Sequence, residues 1–288
     1  MHNKALFAVL AGAVLGGIVS VFVKIAISSF PPLSLTFLRF FIAFLVFLPF
    51  VIGKKFDTKN LRKLIFITLL NTANLILFVF GIKHTIPTLA QTMYSAVPII
   101  VSLLSFYLLG EKFSAKKVTG IVVGLVGVLM IVLLPALKEL NLKGVTLYGN
   151  VLIFIGVFLY SCYTVLSKPL MKSYSPVQIT FSFVAITGLI SVLGVPSETV
   201  AYGEWWKVVP MSHVLILLYL GTIGTSVLYF LYQYAIKHGS PLISSLTLYF
   251  TPVFTYFWAF IFLGEKLMPE IILGALLVFS GAWLVNSA

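Results

Sequence analysis

Acidic side chains are nearly missing from this chain. Seven of its 288 residues are Asp or Glu, and Asp57 is the only aspartate. There is one cysteine, Cys162, and only four histidines, which fall at the edges of apolar runs. A metal-dependent enzyme needs clustered ligands, and a nucleophilic one needs a nucleophile with a base beside it. So few groups of either kind argue against catalysis, and no cofactor is expected. A lone Cys162 excludes an intrachain disulfide and a cysteine-only metal site, and it leaves the redox compartment open. No phosphate-cradling glycine loop precedes a Lys-Ser or Lys-Thr pair, which excludes a nucleotide-driven pump in this chain.

What the chain has instead is apolar surface. It is 60% apolar and 9% charged, with a mean hydropathy of +1.13. A soluble protein of this size could not hide that fraction in one core. Lipid is the remaining solvent, and a spanning helix takes roughly 20 apolar residues. Ten spans would consume most of the chain and leave only short loops, without room for a soluble domain. The net charge of +12 is spread as single lysines or small groups between apolar runs. That spread fits anchoring at membrane edges and speaks against nucleic acid. The apolar run after Lys4 imitates a signal peptide, but it is too long for one and is read as a retained span.

The runs place helices near 5–27, 34–52, 64–82, 88–109 and 118–134, then near 147–167, 177–195, 214–236, 242–263 and 270–285. Breakers separate them: Pro31-Pro32, Gly53, Pro87, Pro135, Ser175-Pro176, Pro196, Gly239-Ser240-Pro241 and Pro269.

The two sets of five are copies. Ile82-Lys83-His84-Thr85-Ile86-Pro87 reappears as Ile236-Lys237-His238-Gly239-Ser240-Pro241, at an offset of 154 residues. The same offset relates Pro98 to Pro252, Leu109-Gly110-Glu111-Lys112 to Leu263-Gly264-Glu265-Lys266, and Gly120 and Gly127 to Gly274 and Gly281. Upstream, Lys24, Ser29-Phe30, Pro32 and Thr36-Phe37 match Lys168, Ser173-Tyr174, Pro176 and Thr180-Phe181 at an offset of 144. A loop of about ten residues is therefore inserted in the second copy. The repeats are expected to cover 5–134 and 147–286. Five is odd, so the second copy must enter the membrane from the opposite side. The expected fold is an all-α integral membrane protein, with ten transmembrane helices in two inverted five-helix repeats. With an inner N-terminus, twelve Lys or Arg fall on inner segments and six on outer ones, with Arg39 inside a span. Both termini are then cytoplasmic, the protein is multi-pass in the cell membrane, and Trp205-Trp206 lie in an outer loop as an interfacial anchor.

These residues resemble the drug/metabolite transporter superfamily, and within it the EamA type. The likeness rests on a proline in the fourth helix of each copy, a Leu-Gly-Glu-Lys turn, and a glycine-bearing fifth helix. Pro98, Leu109-Gly110-Glu111-Lys112 and Gly120 carry it in the first copy; Pro252, Leu263-Gly264-Glu265-Lys266 and Gly274 carry it in the second. Leu220-Gly221-Thr222 with Thr225, and Tyr163-Thr164-Val165-Leu166-Ser167-Lys168, look like the family's eighth helix and the end of its sixth. One departure is the lack of a tryptophan in helix one near Gly16-Gly17. The resemblance implies export of amino acids or related metabolites.

Candidate substrate-binding residues lie on polar stripes at helical spacing. The fourth run holds Thr88, Gln91, Thr92, Ser95, Ser102 and Ser105, with Tyr94 between them. The eighth holds Thr222, Thr225, Ser226, Tyr229, Tyr232 and Gln233. The ninth holds Ser244, Thr247, Thr251 and Thr255, and the third holds Asn71 and Asn74. Small hydroxyls serve helix contacts as readily as a cavity, whereas the amides of Asn71, Asn74, Gln91 and Gln233 cost more to bury and favour the cavity. Tyr160, Tyr163 and Tyr229 are candidates for the apolar part of a substrate. Arg39 lies about six residues, roughly 9 Å, from the predicted outer end. It either snorkels outwards or faces inwards toward an anion. Pro98 and Pro252 free the carbonyls of Tyr94 and Leu248, kink their helices, and are read as gating residues. Glu111 and Glu265 read as turn caps pairing with neighbouring lysines. Lys83-His84 and Lys237-His238 suit helix C-termini. The glycines of helices five and ten read as close packing, extending to a homodimer contact.

Three readings follow. A secondary transporter alternating access around a central cavity between the repeats, with a small-molecule substrate and the lipid bilayer as partners, leads. A flippase or exporter of a lipid-linked sugar or another polar metabolite on the same fold stands second. An intramembrane enzyme stands well behind.

Overall fold

The computed structural model describes residues 2–82, 84, 93–112, 114–138, 147–263 and 269–287. Among them the regular structure is helical, without strands. The first half supplies α1 (His2–Ala26), α2 (Pro32–Val51), α3 (Leu61–Ile82), α4 (Val97–Leu109) and α5 (Ala115–Lys138). The second supplies α6 (Leu147–Leu170), α7 (Pro176–Val192), a short α8 (Val195–Tyr202), α9 (Met211–Gly221), α10 (Leu228–His238), α11 (Pro241–Ser245), α12 (Thr247–Leu263) and α13 (Pro269–Asn286). Six helices or helix runs are long and apolar enough to cross a membrane, or seven if α7 and α8, bent by 44°, count as one span. Val97–Leu109 and Ile272–Val285 are shorter apolar helices. With large apolar side chains such as Phe66, Leu189, Leu215 and Trp283 left on the outside, the chain is a multi-pass membrane protein.

Helices pair mainly across the two halves: α5 with α13, α3 with α6, α1 with α12 and α10, and α2 with α7. Lipid offers no hydrophobic drive for helix association, so small residues that let backbones meet become decisive. The α5–α13 seam shows this most clearly. A Cβ on Gly120 would stand 2.7 Å from the Gly281 carbonyl oxygen, and one on Gly127 would stand 2.6 Å from that of Gly274. The glycines expected to pack are therefore used inside the chain.

Several breakers act differently from expectation. Pro98 does not kink a continuous helix. The chain turns at Ser95-Ala96, and Pro98 sits in the first turn of α4, where its missing N–H costs nothing. Pro252 does lie inside α12, while the break in that run falls earlier, at Leu246. Pro196 was expected to end a helix, yet it starts α8 for the same first-turn reason, so the inserted segment is partly helical rather than loop. α5 runs past Pro135 to Lys138. The eighth run is interrupted by a π-helical turn, Thr222–Val227. Gly110 closes α4 in the left-handed region (φ +67°), and the Glu111 amide returns to the Ser105 carbonyl at 3.3 Å. The turn is closed by backbone bonds alone, and the expected Glu111–lysine pair is not what forms it; Gly264, Glu265 and Lys266 lie outside the described residues. The C-terminus of α10 was expected to rely on Lys237-His238. Both lie in its last turn, where His238 Nδ1 bonds to the Tyr234 carbonyl at 3.0 Å, and Lys168 from α6 adds a second cation, its Nζ donating to the carbonyls of Ile236 (2.8 Å) and Gly239 (2.7 Å).

Candidate functional site

Arg39 turns inwards. It is half-buried, and its Nε donates to Thr225 Oγ1 at 2.5 Å, with a long 3.4 Å contact from Nη2 to the Gly224 carbonyl. Both partners belong to the π turn. There Thr225 Oγ1 and Ser226 Oγ donate to the carbonyls five residues back, those of Leu220 (2.8 Å) and Gly221 (2.9 Å). A π turn widens the helix and often marks a functional position. Gly221 allows α2 to come close: a Cβ there would meet Ile42 at 2.5 Å and the Arg39 carbonyl at 3.1 Å. The described contacts use two of the five guanidinium donors, which leaves a forked face for an anion.

Next to Arg39 stand Phe40 and Tyr229, and Phe183 of α7 links them onward. Its ring lies 4.7 Å from Tyr229, 5.4 Å from Phe40 and 6.1 Å from Tyr163. Beyond Phe183 begins a buried tyrosine cluster. Tyr160 is 5.4 Å from Tyr232, 6.2 Å from Tyr94 and 6.3 Å from Tyr163. Polar tips are threaded through it. Tyr94 donates to Asn74 Oδ1 at 2.5 Å, and Asn74 Nδ2 donates to Asn71 Oδ1 at 3.2 Å. Gln233 Nε2 donates to the Tyr163 hydroxyl at 2.6 Å and to Ser167 Oγ at 3.3 Å. The Thr164 and Tyr232 hydroxyls share a 2.9 Å bond.

Two members of this network are incomplete. Asn71 and Gln233 are fully buried. Among the described residues, Asn71 Nδ2 has no acceptor and Gln233 Oε1 has no donor. Leaving a buried polar group unmade costs about 1–3 kcal/mol. Among the described residues the network thus leaves one amide donor and one amide acceptor for a polar molecule or water.

The predicted site residues divide into three groups. Arg39, Asn71, Asn74, Tyr94, Tyr160, Tyr163, Tyr229 and Gln233 form one continuous chain of contacts. Ser95 is buried beside it, and Ser244 is tied to it through a 2.9 Å bond to the Tyr232 carbonyl. Thr222 and Thr251 stand apart. Thr222 donates to the Leu218 carbonyl of its own helix at 2.7 Å. Thr251 donates to Thr247 at 2.7 Å and faces Gly16 across the α1–α12 contact. Gln91, Thr88 and Thr92 lie outside the described residues.

Sequence reasoning passed over Phe183 and undervalued Tyr232 and Thr225. Tyr232 and Thr225 were visible on the eighth-run stripe, while Phe183 carries no polar signal and earns its place only through contacts. Among the described residues, no three His, Cys, Asp or Glu side chains come together as a metal site.

Comparison with known proteins agrees with this architecture. A solved crystal structure superposes with a TM-score of 0.80 over 99% of this chain and 98% of the other, at 17% identity, which is a likeness of fold. The uncharacterized transporter YoaV of Bacillus subtilis is 25% identical over 98% of this chain and 96% of its own length. An uncharacterized transporter of Archaeoglobus fulgidus is 24% identical over 93% and 92%. A WAT1-related protein of Arabidopsis thaliana is 28% identical over 74% of this chain, which spans 64% of that protein. The pattern of the EamA-like transporter family matches twice, at residues 3–133 and 147–287. Two matches covering nearly the whole chain, on a fold whose halves meet around a buried polar network, make it a member of the EamA-like transporter family, a transporter of the drug/metabolite type.

Proposed function

We propose that the chain is a secondary transporter that exports amino acids or closely related metabolites. Access would alternate around the network between α2, α3, α6 and α10. The observation that carries this reading is the incomplete pair, Asn71 Nδ2 and Gln233 Oε1, on the same contact chain as a guanidinium with donors to spare. A zwitterion matches all three. Its carboxylate suits Arg39 and the Asn71 amide, its ammonium suits Gln233 Oε1 and the tyrosine faces, and its apolar side chain suits the surrounding rings. A polyanionic nucleotide sugar would want more buried positive charge than one arginine. The chain turns at Ser95-Ala96 just before Pro98, and Pro252 lies inside α12, which supports both prolines as gating positions.

The experiment is flux into liposomes holding the purified protein, with labelled amino acids under imposed pH and potential gradients. Saturable flux of at least one amino acid is expected. Flux of a lipid-linked sugar, with none for the amino-acid panel, would give the chain to the flippase reading.

The same proposal includes ten spans in two inverted repeats, with both termini cytoplasmic. Exchange of partners between halves (α3 with α6, and α10 with α1) is the pattern two oppositely inserted copies would make. In a background with Cys162 replaced, single cysteines at Lys54 and Lys172 should resist an impermeant thiol reagent added outside intact cells. Those at Val200 and Trp206 should react with it. The reverse labelling would overturn the orientation.

A further inference from the structure

Phe183 is fully buried and has no polar atom in its side chain, yet it joins the two ends of the contact network. On one side its ring meets Phe40 and Tyr229, beside Arg39. On the other it meets Tyr163, whose hydroxyl Gln233 holds at 2.6 Å. Arg39 and Gln233 are the groups proposed for the carboxylate and the ammonium of a substrate. A single apolar ring therefore lies between them.

The duplication gives this ring a counterpart. The 144-residue offset that pairs Thr36 with Thr180 also pairs Arg39 with Phe183, and the 154-residue offset pairs Asn71 with Thr225. Paired positions bond alike. Thr36 and Thr180 each donate to the carbonyl four residues back, both at 2.8 Å. Thr68 and Thr222 do the same, at 2.8 and 2.7 Å. α2 reaches the π turn through Arg39 and Thr225. α7 reaches α3 through a 2.9 Å bond between Thr187, one turn beyond Phe183, and Thr72, the neighbour of Asn71. Thr225 is engaged by the guanidinium, whereas Asn71 Nδ2 has no acceptor among the described residues. By register and by contact, Phe183 holds on α7 the place that Arg39 holds on α2.

We propose that Phe183 is the specificity-determining residue of the site: it receives the substrate's side chain and restricts substrates to amino acids whose side chain is apolar. The carboxylate is held at Arg39, the ammonium at Gln233, and the side chain lies against the ring between them. A second cation at this place would welcome a second anionic group, as paired guanidinium and carboxylate do elsewhere. Phe183 instead leaves the site with one cation, and α7 carries no ionisable side chain of its own. A charged substrate side chain would be stripped of water against the ring and gain no partner, which strongly disfavours it. An apolar one loses nothing and gains contact with three further rings, those of Phe40, Tyr163 and Tyr229.

Because this role rests on the amino-acid proposal above, its test measures binding rather than flux. Labelled leucine, phenylalanine and glutamate would each be titrated against the purified protein in lipid nanodiscs. The wild type should bind glutamate at least about 10-fold more weakly than the other two. Phe183→Arg should raise glutamate affinity relative to leucine about 10- to 100-fold, the return on one charged, paired contact. Phe183→Leu shortens the side chain and leaves room that a larger ligand refills. It should therefore raise phenylalanine relative to leucine several-fold and leave glutamate weak. Phe44→Leu removes a ring stacked on Phe181, 5.3 Å away and outside the network, and should change neither ratio. A wild type that binds glutamate as tightly as leucine overturns the proposal. So does a ratio that stays put in either folded Phe183 variant, or one that Phe44→Leu moves equally. Should Phe183→Arg fail to fold, the wild type and Phe183→Leu still decide. Wild-type binding of none of the three would overturn the amino-acid proposal and this role together, whereas binding indifferent to Phe183 overturns this role alone.

Discussion

Replacing Arg39 by methionine is expected to remove nearly all saturable amino-acid flux while the protein still inserts and purifies as before. Methionine fills a similar volume, and the cost to the fold is confined to the bonds to Thr225 and Gly224. What the variant loses is the forked donor face. A hydrogen bond to a charged group is worth about 1.5–3 kcal/mol, and each 1.4 kcal/mol is tenfold, so flux should fall about 10- to 100-fold. Arg39→Lys should recover only part of it, because an ammonium cannot make the paired contact. Flux of the decarboxylated amine, if the wild type carries it, should be spared in Arg39→Met. Undiminished amino-acid flux in Arg39→Met would mean that the arginine serves only to pin the π turn.

Gly281→Leu is expected to have the largest effect on stability. Any Cβ at this position would lie 2.5 Å from the Gly120 carbonyl oxygen and 2.5 Å from the Gly124 amide nitrogen. These are backbone atoms and cannot rotate away, so α5 and α13 must part along their length. Overpacking a core costs about 1–3 kcal/mol when side chains can yield; against backbone the cost should lie at or above the top of that range. Monodisperse yield after detergent extraction should fall several-fold, and the apparent Tm by roughly 10 °C, taking about 2–4 °C per kcal/mol for a chain of this size. Gly188→Ala is the matched control. Its Cβ would meet only Phe40 at 3.8 Å, and a helical alanine is favoured by about 1 kcal/mol over glycine. Its Tm should hold or rise. Equal behaviour of the two variants would show that the seam is loose.

Much of this was legible in the residues. The boundaries of α1, α2, α6 and α13 were readable to within a few positions, because an apolar run between prolines or charges has few other conformations open to it in lipid. Asn71, Asn74, Gln233 and the tyrosines of the contact network were readable from their spacing, since burying an amide is costly enough to demand a reason. The exceptions have a common cause. Pro98 and Pro196 each suit two places, a kink or a first turn, and neighbouring residues do not choose between them. Thr222 and Thr251 share a stripe with true members of the network, and a hydroxyl that bonds back to its own helix looks the same in sequence as one that faces a cavity.

Hydropathy, the 154- and 144-residue offsets and the paired motifs determined the all-helical membrane class, the twofold organisation and the family. Each of these depends on local composition or on self-comparison. Tertiary structure alone decided which groups meet: Arg39 with a π turn 185 residues on, Glu198 with the bare start of α2, Lys168 with the end of α10, and Gly281 with Gly120. Such contacts join helices far apart in the chain, and their energies come from desolvated charges and touching backbones, quantities that exist only once the helices are packed.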